Sequence, residues 1–298
     1  MKSLSMLAAL VFLGVQVANA DVVSEEWVQK WRADLEFVKQ TLPVTHAQLF
    51  HTLSEEDFNS AIETLSVRVP GLSHHQIIID LAAIVASVGD GHTRVSLPMV
   101  EGSDFFEGHS TTPPPNDPSM VFNLYPIRLY AYSDGLYVRR IGAENTGFAG
   151  AKVIRIGRMS AQGAMQAVSR IVQRDNDFQV KNLVPMRLVV PEVLWALKIT
   201  PTADQAEFIL ETADGKPHKL VLSPVAENQA VTWVSANDKA TQKPLYLRFQ
   251  DSNFWFDQIE GTKTVYCQYN EVYDLPEESI ANFAERLSDY IGSHGIQT

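Results

Sequence analysis

The run Gly89-Asp90-Gly91-His92-Thr93 is the most distinctive place in the sequence for chemistry. It follows a predicted helix and precedes a predicted strand, Arg94 to Leu97, so we expect it to form a turn. Two glycines leave the imidazole of His92 little side-chain cover, and histidine titrates near neutral pH. Such a side chain can act as the general base for a hydroxyl nucleophile. The alternative is an ordinary turn with a polar histidine, and the spacing alone favours that alternative.

The other histidines do not follow a metal-binding pattern. His74 and His75 are adjacent and lie on different sides of a predicted helix, unlike the i, i+4 pair of an H-E-x-x-H zinc site. No cluster of cysteines or carboxylates completes a ligand shell around any of them. The glycines fit neither the G-x-x-x-x-G-K nor the G-x-G-x-x-G phosphate loop. We therefore expect no metal and no other cofactor.

Length and charge limit the class of protein. The chain has 298 residues, which at roughly 100 to 200 residues per domain predicts about two domains, or three small ones. It contains 24 lysines and arginines against 35 aspartates and glutamates, a net charge of -11. Binding to nucleic acid would begin with repulsion from phosphate, so nucleic acid is not expected as a partner.

Residues 1–20 are typical of a secretory signal peptide. Lys2 supplies the positive end, Leu4 to Val17 form an apolar stretch, and Ala18-Asn19-Ala20 is an A-x-A cleavage signature. The apolar stretch is shorter than the roughly 20 residues that span a bilayer. We expect an exported protein, periplasmic or secreted, with no integral membrane segment after cleavage. Its single cysteine, Cys267, cannot form an internal disulfide.

Residues 21–98 are predicted to form an N-terminal helical domain of three helices. Apolar residues recur every three or four positions from Trp27 to Leu42, as in an amphipathic helix. Ser54 can cap a second helix, and Ser73 with Gln76 forms a capping box for the third. Gly89 then suits the left-handed conformation that often ends a helix.

A proline-rich linker at residues 99–119 separates this domain from a strand-rich unit at residues 120–225. Hairpins are predicted around Ser133-Asp134-Gly135 and Asp214-Gly215. The elements predicted between the hairpins are, in chain order, a strand from Gly150 to Gly157, a helix from Ser160 to Val172 and a short helix from Pro191 to Leu197. Together these elements predict a half-open β-barrel.

The region 243–298 is predicted to contain strands followed by one helix. The strands are predicted at Leu245–Phe249, Phe254–Ile259 and Thr264–Tyr269. Pro276 and Glu277-Glu278 are expected to open the helix, and Gly292 to end it. A strand followed by a helix normally returns as a second, parallel strand. No return strand is predicted after this helix, so we expect an incomplete α/β domain.

The order of these features resembles the tail-specific (C-terminal-processing, tricorn-core-like) serine peptidase family. The likeness runs from Asp-Gly-His-Thr at the end of the helical domain, through a PDZ-like unit, to Phe254-Trp255-Phe256 and the segment Tyr266–Asn270. The resemblance implies an α+β multidomain protein, with residues 243–298 as the first strands and one helix of the peptidase domain. It also implies that protein or peptide chains are the substrates.

The resemblance also implies roles for particular residues. His92 matches the catalytic base of the tricorn-like members, whereas other branches of the family use a serine–lysine dyad. The segment Ala149–Val153 matches the PDZ-like core that helps to position the substrate chain. This match makes Gly150, Ala151 and Val153 candidate substrate-binding residues.

The sequence departs from the family at the nucleophile. The family's serine follows a parallel strand and a glycine-rich turn, for which we find no counterpart here. Ser279, Ser288 and Ser293 lie on or just after the last predicted helix, where solvent contacts are the expected role. We therefore expect the 298-residue chain to be a truncated and inactive peptidase. The alternatives are an exported protein that binds peptides at a strand edge without cleaving them, and a destabilised fragment with no activity.

Overall fold

The computed structural model describes five ranges of the chain: residues 24–100, 117–226, 229–239, 244–249 and 251–297. The predicted signal peptide and most of the predicted linker lie outside these ranges. The chain divides into two compact units, residues 1–232 and residues 233–298. It combines α-helices with antiparallel sheets, which is an α+β fold. Among the described residues, no helix is both long and apolar enough to span a bilayer.

Three helices begin the first unit: α1 (Glu25–Thr45), α2 (Glu55–Arg68) and α3 (His74–Ala86). The predicted caps are confirmed, since Ser54 accepts a hydrogen bond from the backbone N–H of Asp57 and Ser73 forms the capping box with Gln76. Gly89 has a φ of 77°, in the left-handed region that glycine tolerates without strain. The chain therefore leaves α3 through a sharp turn that leads directly to His92.

The sheet of the first unit consists of β1 (Ile127–Tyr132), β2 (Gly135–Gly142), β3 (Lys152–Ile156), β4 (Met159–Ser160), β5 (Ala206–Glu211) and β6 (Pro217–Leu222). Its antiparallel order is β1-β2-β3-β5-β6, and β4 pairs with β3. Both predicted hairpins are confirmed, with Tyr132 paired to Gly135 in one and Glu211 paired to Pro217 in the other.

Three further helices lie between β4 and β5: α4 (Ala161–Ser169), α5 (Asp177–Arg187) and α6 (Pro191–Ala196). The helix predicted from Ser160 to Val172 forms, with Ser160 as its cap, but it ends at Ser169. Helix α5 was not predicted, because its apolar residues do not mark its buried face: Phe178 is exposed whereas Arg187 is buried.

The helices and the sheet of the first unit share one apolar core, whose buried residues run from Val28 in α1 to Leu222 in β6. A polar contact ties the start of the strand-rich part to α6. The buried carboxylate of Glu192 accepts hydrogen bonds from the backbone N–H and the side-chain amide of Asn123, at 2.9 and 2.7 Å. The predicted helical and PDZ-like domains therefore lie in the same compact unit, and their division stays a prediction.

Two predicted strands are wrong. Arg94 to Leu97 form no strand, because they have no partner among the described residues; the nearest pairing is a single parallel bridge between Met99 and Phe122. Leu245 to Phe249 form a 3-10 turn, Leu245–Leu247, after which Phe249 has a φ of 46°. That left-handed conformation interrupts an extended strand.

The second unit contains β7 (Trp233–Ser235), β8 (Phe254–Gln258), β9 (Val265–Tyr269) and α7 (Ile280–Ser293). β8 and β9 form an antiparallel hairpin. Helix α7 packs on it through Phe283, whose ring centroid lies 4.6 Å from that of Phe254. The predicted ends of this helix are wrong: Ser279, not Pro276, precedes its first turn as the cap, and Gly292 lies inside it.

Candidate functional site

The turn that presents His92 is organised by one carboxylate. Oδ1 of Asp90 accepts hydrogen bonds from the backbone N–H groups of His92 and Thr93, at 2.7 and 2.8 Å, and from the Thr93 hydroxyl at 3.0 Å. The bond from the His92 N–H is the main reason that the pKa of Asp90 lies below its usual range, and the Thr93 bonds add to it. Asp90 is therefore charged at neutral pH and fixes the backbone on both sides of His92.

His92 itself is exposed. Its backbone N–H is bonded to Asp90, whereas its imidazole makes no hydrogen bond, ion pair or ring contact with any residue that the structure describes. A ring nitrogen without a partner on a held backbone is available to take a proton from a reacting group, as a general base does. In the described ranges no serine hydroxyl is bonded to His92, so the structure shows a candidate base without a paired nucleophile.

His46 and Thr93 form a histidine–hydroxyl pair beside His92, but the direction of their hydrogen bonds shows a structural contact. Nε2 of His46 lies 2.9 Å from Oγ1 of Thr93. Nδ1 of His46 accepts the backbone N–H of Gln48 at 3.1 Å, so the hydrogen-bond network assigns the ring proton to Nε2. His46 therefore donates to Thr93, whose hydroxyl donates in turn to Asp90. A base for Thr93 would need an unprotonated Nε2, so this pair holds the turn and does not activate the hydroxyl.

The connection between α1 and α2 supports the start of the same turn. Nε2 of His51 lies 3.3 Å from the carbonyl oxygen of Gly89, and its Nδ1 lies 2.9 Å from that of Gln48. A Cβ atom added to Gly89 would lie 2.9 Å from Oγ1 of Thr52. In the sequence, His46 and His51 lie between the first and second predicted helices. Neither carries a signal of this role, because their partners lie about forty residues further along the chain.

The histidines at the start of α3 belong to a packed cluster. The indole nitrogens of Trp27 and Trp31 lie 2.8 and 3.0 Å from Nε2 and Nδ1 of His74. A neutral imidazole has one acceptor nitrogen, so only one of these two contacts is a hydrogen bond. Nε2 of His75 lies 2.9 Å from the carbonyl oxygen of Val121. Within the described part of the chain, no group of three or more histidine, cysteine, aspartate or glutamate side chains is arranged to hold a metal ion.

The three candidate substrate-binding residues lie in or beside β3. The side chains of Ala151 and Val153 are buried in the core, and Gly150 is exposed with a φ of 87°. The backbone of this segment bonds to β2, because Gly150 N–H donates to the carbonyl of Val138 and Val138 N–H donates to the carbonyl of Ala151, both at 2.9 Å. These contacts position β3 within the sheet. A role in substrate binding stays a prediction.

The three serines of the last helix have local roles in the second unit. Ser279 caps α7 by accepting the backbone N–H of Asn282 at 3.2 Å. Ser293 donates to the carbonyl oxygen of Asp289 at 2.7 Å, and Ser288 is exposed on the helix surface. Oγ of Ser293 also lies 2.9 Å from Nδ1 of the adjacent His294, but its single proton is donated to the carbonyl of Asp289, so this ring does not act as its base. Among the described residues, neither Ser279 nor Ser288 is bonded to a histidine.

Comparison with known proteins gives structural neighbours only. No family model matches the chain, and no curated protein matches it. Three solved structures of CPAF are among the neighbours. Mature CPAF in complex with lactacystin is 13% identical with a TM-score of 0.47, over 76% of this chain and 40% of that one. A serine-to-alanine variant of CPAF is 12% identical with a TM-score of 0.45, over 67% of this chain and 35% of that one. Mature CPAF is 10% identical with a TM-score of 0.43, over 73% of this chain and 38% of that one. The chain thus spans about two fifths of the length of these proteins.

Proposed function

We propose that the protein is an exported serine-type peptidase of the tail-specific type, acting on protein or peptide chains. The observation that supports this proposal best is the exposed imidazole of His92 on a turn whose backbone is held by Asp90. The Asp-Gly-His-Thr run, the strand-rich unit and the aromatic β8–β9 hairpin follow one another in the order of that family. Protein substrates fit the same family resemblance, and export is proposed from residues 1–20 of the sequence.

In this mechanism His92 acts as the general base. Its neutral imidazole takes the proton of a serine hydroxyl while the serine oxygen attacks the scissile carbonyl carbon. The imidazolium then gives that proton to the nitrogen of the leaving amine, so the ring returns to its neutral form. We also propose that residues 1–298 alone do not cleave protein chains, because no serine of the described ranges is bonded to His92.

The second candidate is a protein that binds peptides without cleaving them. Among the described strands, β6 pairs only with β5, and its first three residues, from Pro217 to Lys219, are exposed. An edge of this kind can add a peptide strand through main-chain hydrogen bonds. This function needs no general base, so the importance of His92 separates the two candidates.

The test is cleavage of unfolded casein by the full-length product of the gene, with and without His92→Ala. We expect this substitution to lower kcat by about 100-fold or more, since a general base typically contributes that much. The melting temperature should not change, because an exposed turn residue adds little to the core. His294→Ala, at an exposed histidine that directly follows α7, is the matched control and should keep full activity.

Three results would contradict the proposal or part of it. Full activity after His92→Ala would remove His92 as the base and favour a serine–lysine dyad. Casein cleavage by residues 1–298 alone would show that a nucleophile exists among the serines of this chain. Peptide binding by the full-length protein without any cleavage would favour the second candidate.

A further inference from the structure

We propose that Asp175 and Gln179 are positioning residues that hold the Gly91 peptide group and thereby set the direction of the His92 imidazole. The inference rests on the proposed role of His92 as a base and adds two residues that no sequence pattern singles out. Both residues lie at the start of α5, more than eighty positions further along the chain than the turn.

Both hydrogen-bonding groups of Gly91 are occupied by these two side chains. Its N–H donates to Oδ1 of Asp175 at 2.6 Å, and its carbonyl oxygen accepts from Nε2 of Gln179 at 3.1 Å. The backbone N–H of Asp175 donates to Oε1 of Gln179 at 2.7 Å. The three bonds form a closed ring, which fixes the position of the Gly91 peptide more firmly than a single bond would.

The fit around Gly91 leaves no space for a side chain. A Cβ atom at this position would lie 2.2 Å from Oδ2 of Asp175 and 2.6 Å from Oε1 of Gln179. Glycine is therefore required here for close approach of the two side chains, since no positive φ is found at Gly91. The missing side chain at Gly91 thus leaves His92 uncovered and also allows Asp175 and Gln179 to reach the turn.

The bonds to Gly91 are separate from the capping of α5. Asn176 is the N-cap residue, and its Oδ1 accepts the backbone N–H of Gln179 at 3.0 Å. The Asp175 carboxylate is thus not needed to start the helix, and it accepts its hydrogen bond from the turn. This separation provides a control, because the cap can be removed while both contacts with Gly91 stay in place.

The turn is consequently held from two sides. Asp90 accepts the backbone N–H groups of His92 and Thr93, and His46 binds the Thr93 hydroxyl. The Asp175–Gln179 pair holds the N–H and the carbonyl oxygen of Gly91. A shift of Gly91 moves the imidazole with it. A displacement of about 1 Å at a catalytic group can cost about 100-fold in rate. We therefore expect the pair to affect kcat and not the binding of substrate.

The experiment compares Asp175→Ala and Gln179→Glu with Asp175→Asn in the full-length protein. The alanine removes the acceptor of the Gly91 N–H, and the glutamate places a carboxylate against the Gly91 carbonyl. Both should raise the exchange rate of the Gly91 amide hydrogen by about tenfold or more, and shift the NMR signals of the His92 ring. Casein cleavage should fall about 10- to 100-fold in kcat with KM unchanged. Asp175→Asn keeps an acceptor oxygen and should restore wild-type behaviour.

Asn176→Ala is the matched control for stability. It should lower the melting temperature without changing Gly91 exchange relative to neighbouring amides or the His92 signals. The proposal is overturned if Asp175→Ala leaves Gly91 exchange unchanged, if Asp175→Asn is as damaging as Asp175→Ala, or if Asn176→Ala reproduces both effects. If the wild-type protein cleaves nothing, or His92→Ala keeps full activity, the proposed function fails. The exchange and ring signals then still decide whether the pair holds the turn.

Discussion

The contacts of individual histidine rings separate a candidate catalytic role from a packing role in this protein. Among the described residues, none binds the ring of His92, whereas His46 contacts the Thr93 hydroxyl through Nε2 and the Gln48 backbone N–H through Nδ1. His74 is mostly buried between the indoles of Trp27 and Trp31. Burial is the main reason that the pKa of His74 is lowered; the charge of Asp117 opposes this effect, and His75 adds to it.

The lowered pKa of His74 predicts a loss of stability in weak acid. The unfolded chain, in which this pKa is about 6.5, takes up the proton more readily than the folded protein does. The contribution of neutral His74 to the free energy of unfolding is therefore fully present above about pH 6.5 and is lost as the pH falls below that value. We expect the free energy of unfolding to fall between about pH 7.5 and about pH 5.5, and to fall less in His74→Gln.

Urea unfolding at the two pH values measures this difference. His218→Gln is the control, because the His218 side chain is 45% exposed and the substitution should leave the wild-type pH dependence. If His74→Gln loses as much stability on acidification as the wild type, His74 is not the group responsible.

At the scale of elements, the sequence predicts those helices that have both a capping residue and an apolar stripe. Oγ of Ser73 accepts the Gln76 N–H at 3.3 Å, and Oε1 of Gln76 accepts the Ser73 N–H at 3.0 Å. These two bonds satisfy donors that helix α3 would otherwise leave unpaired. Helix α5 has a cap as well, at Asn176, but no apolar stripe that marks it as a helix.

Loss of the α3 capping box should therefore destabilise the first unit. We expect Ser73→Ala to lower the free energy of unfolding by about 1 kcal/mol, measured by urea denaturation. Ser60→Ala is the matched control, since Ser60 is exposed within α2 and its replacement should change stability by less than about 0.5 kcal/mol. Equal effects of the two substitutions would contradict the role of the cap.

At the scale of the whole molecule, the two compact units have separate apolar cores. The main core contains residues of the first unit only, and its last member is Leu222. In the second unit Phe254, Trp255 and Phe283 are buried. Among the described residues, the apolar core of the first unit thus consists of residues that precede the second unit in the chain.

This separation predicts that residues 24–232 fold without the second unit. The shortened chain should unfold cooperatively on heating and keep the dispersed NMR spectrum of a packed core. Circular dichroism and an amide spectrum check this expectation. A non-cooperative transition with a collapsed spectrum would show that the first unit depends on residues 233–298.

The sequence by itself determined the features that depend on neighbouring residues. Caps such as Ser54 and Ser73 and the turn Asp214-Gly215 act over a few positions, so their signals can be read without knowing the fold. The exposure of His92 between a glycine and a threonine was predictable for the same reason.

Tertiary structure decided everything that joins distant parts of the chain. The partners of Gly91 lie more than eighty positions away, and the bond between His46 and Thr93 spans 47. The segment Arg94 to Leu97 failed to form a strand although its residues suit one, because a strand also needs a partner for its backbone groups. Such pairings depend on how helices and sheet pack around a common core, and no local pattern of residues specifies them.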